Sequence, residues 1–373
     1  MTTARRTSTP AESAAARLEI DLGAVVANWR TTAAVSHTKA AGVVKADAYG
    51  VGLAQAAGAL AGAGCDTFFV ARLSEGVALR SCQPKARIYV LDGALPDSVP
   101  ALIAHNLTPV LNSLAQIAAW QSTARRDGAI HIDTGMNRLG LPPDELAILV
   151  AESRTRLKGL NLVLLLSHLA CADDPAHPMN PLQRDRFRAA LAMLPPTPAS
   201  LASTGGVLLG RDYAFDLVRP GLGLYGGNPQ PSRPNPFRRV VGLTGKILQL
   251  ARVDAPHSVG YGASYRPAQQ TLVATVALGY ADGLMRVLGN RGNAAIGGAL
   301  VPIIGHVSMD MITLDVSGLK TPPAVGDDVE FLGDTISLEM LAADCGTISY
   351  EILTSLSRRA QRHYQQPSTE GAR

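Results

Sequence analysis

From Val43 onward the chain repeats one pattern, a run of four to six apolar, β-branched or aromatic residues followed by a longer stretch with apolar positions at helical spacing. The runs begin near Val43, Thr67, Arg87, Leu107, Ala129, Leu160, Ala199 and Phe215, and they read as strands buried on both faces. Residues 53–63, 113–124 and 144–153 are good helical stretches between them, the last opening on Pro142-Pro143-Asp144, a helix start signal. Ahead of the repeats, Leu18-Glu19-Ile20-Asp21 leads into a helix with Leu22, Val25, Val26 and Trp29 on one face. Eight strand-and-helix units predict a (β/α)8 TIM-type barrel rather than an open sheet.

Between residues 226 and 236 the pattern stops. Pro229, Pro231, Pro234 and Pro236 exclude a regular barrel element, so this segment reads as a domain linker. Beyond it, alternating runs at 240–250, 270–277, 294–304, 311–316 and 328–332 predict an all-β module, and a last helix is expected over about 349–362, its basic residues in the final turns. The expected organisation is a disordered tail at 1–16, a barrel at 17–235 and a β domain at 236–373, with the first strand, about 18–21, a candidate to pack with the β domain. The length of 373 residues, beyond the roughly 250 to 300 that one core sustains, agrees with two domains.

Composition narrows the classes. The chain is 47% hydrophobic and 17% charged, enough for sizeable cores. Its net charge of +4 is scattered, with no basic run longer than two, so nothing supports nucleic-acid binding. Cys65, Cys82, Cys171 and Cys345 form no CxxC pair and fit reduced thiols, with no metal site. No stretch reaches the roughly 18 apolar residues of a membrane span, and residues 1–16 lack the apolar core of a secretory signal, so a soluble cytoplasmic protein is expected. The Arg and Ser content of that tail leaves a transit peptide open.

Candidate chemistry starts at Lys45, which closes an apolar run and is followed by the glycine-punctuated Ala46-Asp47-Ala48-Tyr49-Gly50-Val51-Gly52. Active sites collect at this end of barrel strands, and apolar neighbours can depress an amine toward the neutral form that Schiff-base chemistry requires. A solvated surface lysine is the plain alternative. The fifth run ends in His131-Ile132-Asp133-Thr134-Gly135-Met136-Asn137-Arg138-Leu139-Gly140, where Arg138 is either a carboxylate grip or an ordinary loop arginine. The sixth ends in Ser167-His168, and His168 alone is better explained as a core histidine. Ser203-Thr204-Gly205-Gly206 and Val218-Arg219-Pro220-Gly221 supply hydroxyls and glycine amides at the usual phosphate corner of such barrels. A lysine after the first strand and a phosphate cradle after the seventh and eighth point together to pyridoxal phosphate. In the β module, glycine-flanked Tyr261 and Tyr280, and Tyr350 at the start of the last helix, need a nearby cofactor to be more than packing residues.

Taken together these stretches resemble the alanine racemases, fold-type-III pyridoxal-phosphate enzymes with an N-terminal barrel and a C-terminal β domain. The similarity runs from about Leu18 to Arg359 and rests on seven ordered motifs: VVKADAYGVG, IDTGMNRLG, LVRPGLGLYG, GYGASY, LGYADG, GHVSMDM and GTISYEILTSLSRR. It implies that Lys45 carries pyridoxal 5'-phosphate and is one catalytic base, and that Tyr261 is the other, reaching the barrel of a partner subunit in a homodimer with composite sites. Arg219, supported by His168, would face the pyridine nitrogen and keep it unprotonated, a weaker electron sink. Tyr49, Ser203, Thr204, Gly221, Leu222 and Tyr350 would complete the cofactor site. Arg138 and the Met309 backbone would hold the substrate carboxylate, with Asp310, Tyr280 and Arg286 along the channel to the site. The product D-alanine would serve cell-wall metabolism or its reverse, alanine catabolism.

The chain departs from the family pattern at several points. His131 stands where many members carry a lysine that can be carbamylated; a histidine forms no such stable anion, so Arg138 is expected to be oriented by another group or a bound anion. Ser203, Thr204, Gly260 and His306 replace a usual asparagine, serine, serine and arginine. Three rivals are set against the reading. An amino-acid decarboxylase would oppose the pyridine nitrogen with a carboxylate, which Arg219 contradicts. The single-domain pyridoxal-phosphate-binding homeostasis proteins, which are not enzymes, lack the β domain. A broad-specificity or serine-preferring racemase differs only by single substitutions near the site and stays open.

Overall fold

The structure, a computed structural model, describes residues 15–121 and 126–367. The described residues form two compact units, 22–238 and, around it in sequence, 15–21 with 239–366. The expected tail falls, as far as residue 14, outside the described residues, and the part of the expected 113–124 helix beyond residue 121 does too.

The first unit is the barrel. Seven parallel segments run in sequence order, Gly42–Val43, Thr67–Val70, Arg87–Val90, Thr108–Leu111, Arg126–His131, Leu160–Leu166 and Ala199–Ser200. Their registers set Val43 beside Phe69, Val90 beside Pro109 and Ile130 beside Leu165. Phe68, Phe69, Val70, Ile88, Leu111 and Ile130 are all buried, which is why these strands read as continuous apolar runs. The eighth segment, Leu217–Val218, pairs in parallel with Lys39–Ala40, and the ring is closed by hydrogen bonds from Ala41 N–H to Val218 O at 2.9 Å and from Val43 N–H to Pro220 O at 3.1 Å. On its other side Arg219 N–H donates to Ala202 O at 2.9 Å.

Boundaries depart from expectation where local signals are weak. Helices occupy Leu53–Gly62, Leu114–Trp120 and Pro143–Ala151, and a further one, Leu73–Cys82, carried no clear apolar stripe. The proline-rich segment is no loose linker. Asn228 and Gln230 are buried in the barrel unit, and Gln230 Nε2 donates to Ala172 O at 2.8 Å and Gly205 O at 3.3 Å. Prolines there remove backbone donors that a strand would need, and side-chain amides supply the bonding instead.

The second unit is an eight-stranded sheet in the order Thr271–Val276, Ile312–Asp315, Ala299–Ile304, Asn293–Ile296, Asp328–Leu332, Val241–Val253, Ala16–Asp21, Gln361–Gln365. Val241–Val253 also pairs with Thr271–Val276, so six of these strands close into a ring. The long strand serves both sides of that closure because its register shifts between Ile247 and Gln249. The expected 294–304 strand is a hairpin turning at Gly297 and Gly298, both at positive φ.

The last expected helix is corrected. It ends at Ser355, and Gln361–Gln365 is a strand parallel to Ala16–Asp21, with Leu18 opposite Arg362. The basic residues suit a helix end, but Arg358 and Arg359 lie in a turn and the sheet edge captures the backbone from Gln361, Arg362 included, so tertiary pairing outweighs propensity.

Within the barrel unit, Asn28 of the helix Leu22–Ser36 joins the start of the unit to its end. Its buried amide donates to Leu224 O at 3.3 Å and Arg238 O at 2.9 Å, and accepts from Arg238 N–H at 2.7 Å. Asn28→Ala is expected to leave these groups unpaired and to destabilise the protein by about 2 kcal/mol, read from the denaturant midpoint. An unchanged midpoint would show that water replaces the amide at no cost.

Candidate active site

Lys45 follows the short strand Gly42–Val43, anchored by Val44 N–H to Phe69 O at 2.9 Å. After it the chain takes a left-handed turn. Ala46, Asp47, Ala48 and Tyr49 have φ of 53°, 55°, 55° and 56°, four successive non-glycine residues in a region that costs each about 1–2 kcal/mol. Gly50 N–H returns to Ala46 O at 2.9 Å, and Asp47 Oδ1 accepts Leu53 N–H at 2.9 Å, which leads the chain into the next helix. The turn aims Tyr49 inward, where it stacks on Tyr225 with ring centroids 4.9 Å apart, while Tyr225 Oη donates to Val43 O at 2.8 Å.

Across the closing seam lies Arg219, buried at 5% exposure. Its Nη1 donates to Ser200 Oγ at 2.5 Å, and its Nη2 donates to Ser167 O at 2.6 Å and Leu201 O at 3.3 Å and lies 3.5 Å from His168 Nδ1. Phe69 offers its ring face 5.9 Å from the guanidinium carbon. These acceptors are all uncharged. Burial pulls the Arg219 guanidinium down to about 10, which leaves it protonated at neutral pH.

That uncompensated charge reaches its neighbours. Burial, then the cations Arg138 and Arg219, lower the Lys45 amine, against the opposing pull of Glu75 and Asp92. Burial and Arg219 hold His168 well below the imidazole range, and burial, Arg219 and Arg138 bring His131 to about 4 despite Asp133. Both imidazoles are therefore neutral at physiological pH.

Beside Arg219, Thr204 Oγ1 accepts Gly221 N–H at 3.1 Å and Gly223 N–H at 3.2 Å, which leaves its own proton free to donate. A Cβ on Gly221 would fall 2.2 Å from Tyr49 Oη, so the glycine is what admits that hydroxyl. Tyr49, Thr204, Gly221 and the buried Leu222 thus meet around one cradle, and Ser203 bridges Arg219 in parallel at its edge.

Arg138 is carried by a loop clipped at its base by Asp133 N–H to Leu141 O and Leu141 N–H to His131 O, at 2.9 and 2.8 Å. Asp133 shapes the loop, accepting from the N–H groups of Gly135, Met136 and Asn137 at 2.9, 2.9 and 3.0 Å. The Arg138 side chain is exposed and has no hydrogen-bond partner within the described barrel residues. His131 does not hold it; His131 Nδ1 pairs with Asn112 Oδ1 at 2.8 Å.

In the β unit, Tyr261 is 73% exposed on a loop whose Gly260 and Gly262 both have positive φ, with His306 beside it. Tyr280 and Met309 belong to one locality. Tyr280 N–H donates to Ser308 O at 3.0 Å and Ala281 N–H to Met309 O at 3.0 Å, and Gly279 has no room for a side chain against the Met309 carbonyl. Asp310 pairs with Arg359 at 2.6 Å, and Arg359 also lies 3.5 Å from the buried Asp282. Tyr350, partly exposed, is on the helix Ser349–Ser355, whose end packs on Gly283 of the Tyr280 turn. Arg286 opens the short helix Arg286–Leu288.

Glu75, Asn112 and Ser200 support these groups without belonging to any of the sequence motifs, and Tyr225 supports them from within LVRPGLGLYG. An acidic residue in the first turn of Leu73–Cys82 was the one signal available for Glu75.

The barrel residues fit pyridoxal phosphate. A lysine amine biased toward neutrality suits a carbonyl, the Thr204 hydroxyl, its proton left free by the two glycine amides it accepts from, suits a phosphate, and Arg219 has both terminal nitrogens engaged by protein while no described acceptor takes its Nε–H. Fold and site together define a pyridoxal-phosphate enzyme made of a barrel and a separate β domain. The N-terminal and C-terminal domain models of the alanine racemases match residues 20–229 and 240–364. A catabolic alanine racemase of Agrobacterium fabrum is 46% identical over 97% of this chain and 95% of its own, and an alanine racemase of Acidiphilium cryptum is 46% identical over 92% and 97%. The crystal structure of the Bartonella henselae alanine racemase, with covalently bound pyridoxal phosphate, superposes with a TM-score of 0.91 at 40% identity, covering 94% of this chain and all of that one. The chain belongs to the alanine racemase family, pyridoxal-phosphate isomerases.

The low His131 value has a pH consequence. The unfolded chain takes up this proton near the ordinary 6.5 and the folded one only near 4, so stability is full above 6.5 and falls as pH drops from 6.5 through 4. At pH 5 the loss is about 2 kcal/mol before screening reduces it. In His131→Asn the fall in the denaturant midpoint of the cofactor-free protein between pH 7 and pH 5 is expected to shrink; an identical fall would assign it elsewhere.

Proposed function

We propose that this protein interconverts L-alanine and D-alanine with pyridoxal 5'-phosphate, acting in the cytoplasm as a homodimer that supplies or consumes D-alanine for cell-wall metabolism. One observation carries the reading. The Lys45 amine, lowered by burial and by Arg138 and Arg219, sits in the same barrel mouth as the Thr204 and Gly221 cradle.

Bound pyridoxal phosphate supplies an electrophilic carbon for the amino group of the substrate and a conjugated ring that acidifies its Cα proton. Lys45 would hold the cofactor, and Thr204, Gly221, Leu222, Tyr49 and Tyr350 would bind its phosphate end, with Ser203 at the edge. Arg219 would be the residue to meet the pyridine nitrogen and, as a cation, would give it no proton acceptor to stay protonated against, with the neutral His168 beside it as support. Arg138 and the Met309 backbone grip the substrate carboxylate, and Asp310 and Tyr280 line the approach. Lys45 exchanges the Cα proton on the face of the D-enantiomer. Tyr261, from the partner subunit, exchanges it on the opposite face. Its exposure on a glycine-flanked loop of the β unit agrees with a side chain that completes another subunit's site.

A chiral assay with L-alanine, L-serine, L-lysine and L-arginine tests the reading. D-alanine should form fastest. Lys45→Ala should abolish turnover, and Tyr261→Phe should lower racemisation in both directions by about 100- to 10,000-fold while deuterium from solvent still enters the Cα of D-alanine without inversion. Faster turnover of serine or of a basic amino acid would move the substrate, and inversion retained in Tyr261→Phe would remove the second base.

A further inference from the structure

The turn that follows Lys45 is not held by its own residues alone. Glu75, on the neighbouring strand-and-helix unit, sends Oε1 to Ala46 N–H at 2.7 Å, while its Oε2 accepts from Ala71 N–H at 2.8 Å and Arg72 N–H at 3.1 Å. One carboxylate thus ties the first left-handed residue after the lysine to the two residues just before the helix Leu73–Cys82. We propose that Glu75 is a positioning residue for Lys45, fixing the lysine's backbone from an adjacent barrel unit through the Ala46 N–H.

Geometry supports this on three counts. Ala46 has no glycine's freedom, so its φ of 53° persists only where outside contacts over-determine it. The Ala46 N–H points out of the turn, and the bonds that close the turn, Ala48 N–H to Val44 O and Gly50 N–H to Ala46 O, leave that donor to Glu75. The carboxylate also acts on the Lys45 amine, raising it together with Asp92 against the cations Arg138 and Arg219.

The assignment rests on Lys45 being the cofactor lysine, but its decisive test does not. In the cofactor-free wild type, amide hydrogen exchange should find Ala46 N–H protected despite its place in a turn. Glu75→Gln keeps the side chain's size but has one carbonyl oxygen, which cannot serve both Ala46 and the Ala71 and Arg72 pair. The Ala46 amide should then exchange about tenfold faster or more relative to the Phe69 amide in the barrel strand. In the cofactor-loaded enzyme kcat should fall about 100-fold with KM within about threefold, as a displaced base predicts. Asn28→Ala, which weakens the barrel elsewhere, should leave both the Ala46-to-Phe69 ratio and kcat as in the wild type. Should Glu75→Gln fail to fold, the wild-type measurement decides: unprotected Ala46 overturns the proposal. An unchanged exchange ratio in a folded Glu75→Gln, or a kcat within about threefold of wild type, overturns it as well. Full activity in Lys45→Ala would instead remove the reading of the lysine and leave the exchange result standing.

Discussion

The seam that closes the barrel is the constraint on which the site depends. Ala41 and Val43 donate to the carbonyls of Val218 and Pro220, and every residue in this set is buried. Opened, the seam would leave four backbone groups without partners, at about 1–3 kcal/mol each, so the ring has little freedom to breathe there. Its functional effect is to set the strand that ends in Lys45 against the strand that carries Arg219. The residues furthest apart in the barrel's sequence become neighbours, and a cation from one acts on the amine of the other.

What Arg219 does to its surroundings follows from the absence of a carboxylate among its acceptors. An ion pair would confine the field of the guanidinium to its partner. Hydroxyl and carbonyl oxygens instead solvate the charge without cancelling it, so the field continues to Lys45, His168 and His131. The burial that costs Arg219 some of its proton affinity also removes the water that would screen it. The barrel mouth becomes a place where both imidazoles are neutral and the Lys45 amine is shifted toward its neutral form. His131 belongs to this set as a neutral partner of Asn112, not as an anion for Arg138. The loop presents that arginine through Asp133, whose carboxylate is spent on backbone amides.

Much of this was legible in the sequence because the strand ends are short and carry few polar residues. An apolar run stopping at Lys45, at Ser167-His168 or at Val218-Arg219 leaves little choice about which side chain faces the mouth of a barrel. The 349–362 stretch reads as one helix because its basic residues suit a helix end, whereas the partner of its last part, Ala16–Asp21, lies more than 300 residues away in sequence. The proline-rich segment misled for a related reason, with Gln230 supplying side-chain bonds that no backbone pattern announces. Glu75 was hidden by its ordinary place in a first helical turn; only the fold shows that one of its oxygens leaves its own unit. Support residues of this kind act through backbone, and backbone contacts leave no periodicity.

The β unit holds its candidate residues by a comparable device. Loops there carry Tyr280 and Met309, and loops are mobile unless cross-braced. The brace is backbone pairing between the two loops, with Gly279 required because the Met309 carbonyl occupies the space of a side chain. Asp282 strengthens it from beneath, accepting from Gly279 N–H at 2.9 Å while its own carbonyl takes Ser357 N–H at 3.2 Å. Arg359 spans Asp282 and Asp310, but as a half-exposed pair it contributes less to stability than to direction, since solvent screens such contacts. Tyr261 sits on a loop joined at its base by Val259 and Tyr265 and touched by Asn290, whose Nδ2 donates to Ser264 O at 3.4 Å, and its tip is defined by positive-φ residues that leave the Tyr261 side chain exposed. A side chain so placed gains its chemical setting from what it meets, whereas Lys45 carries its setting with it in the barrel.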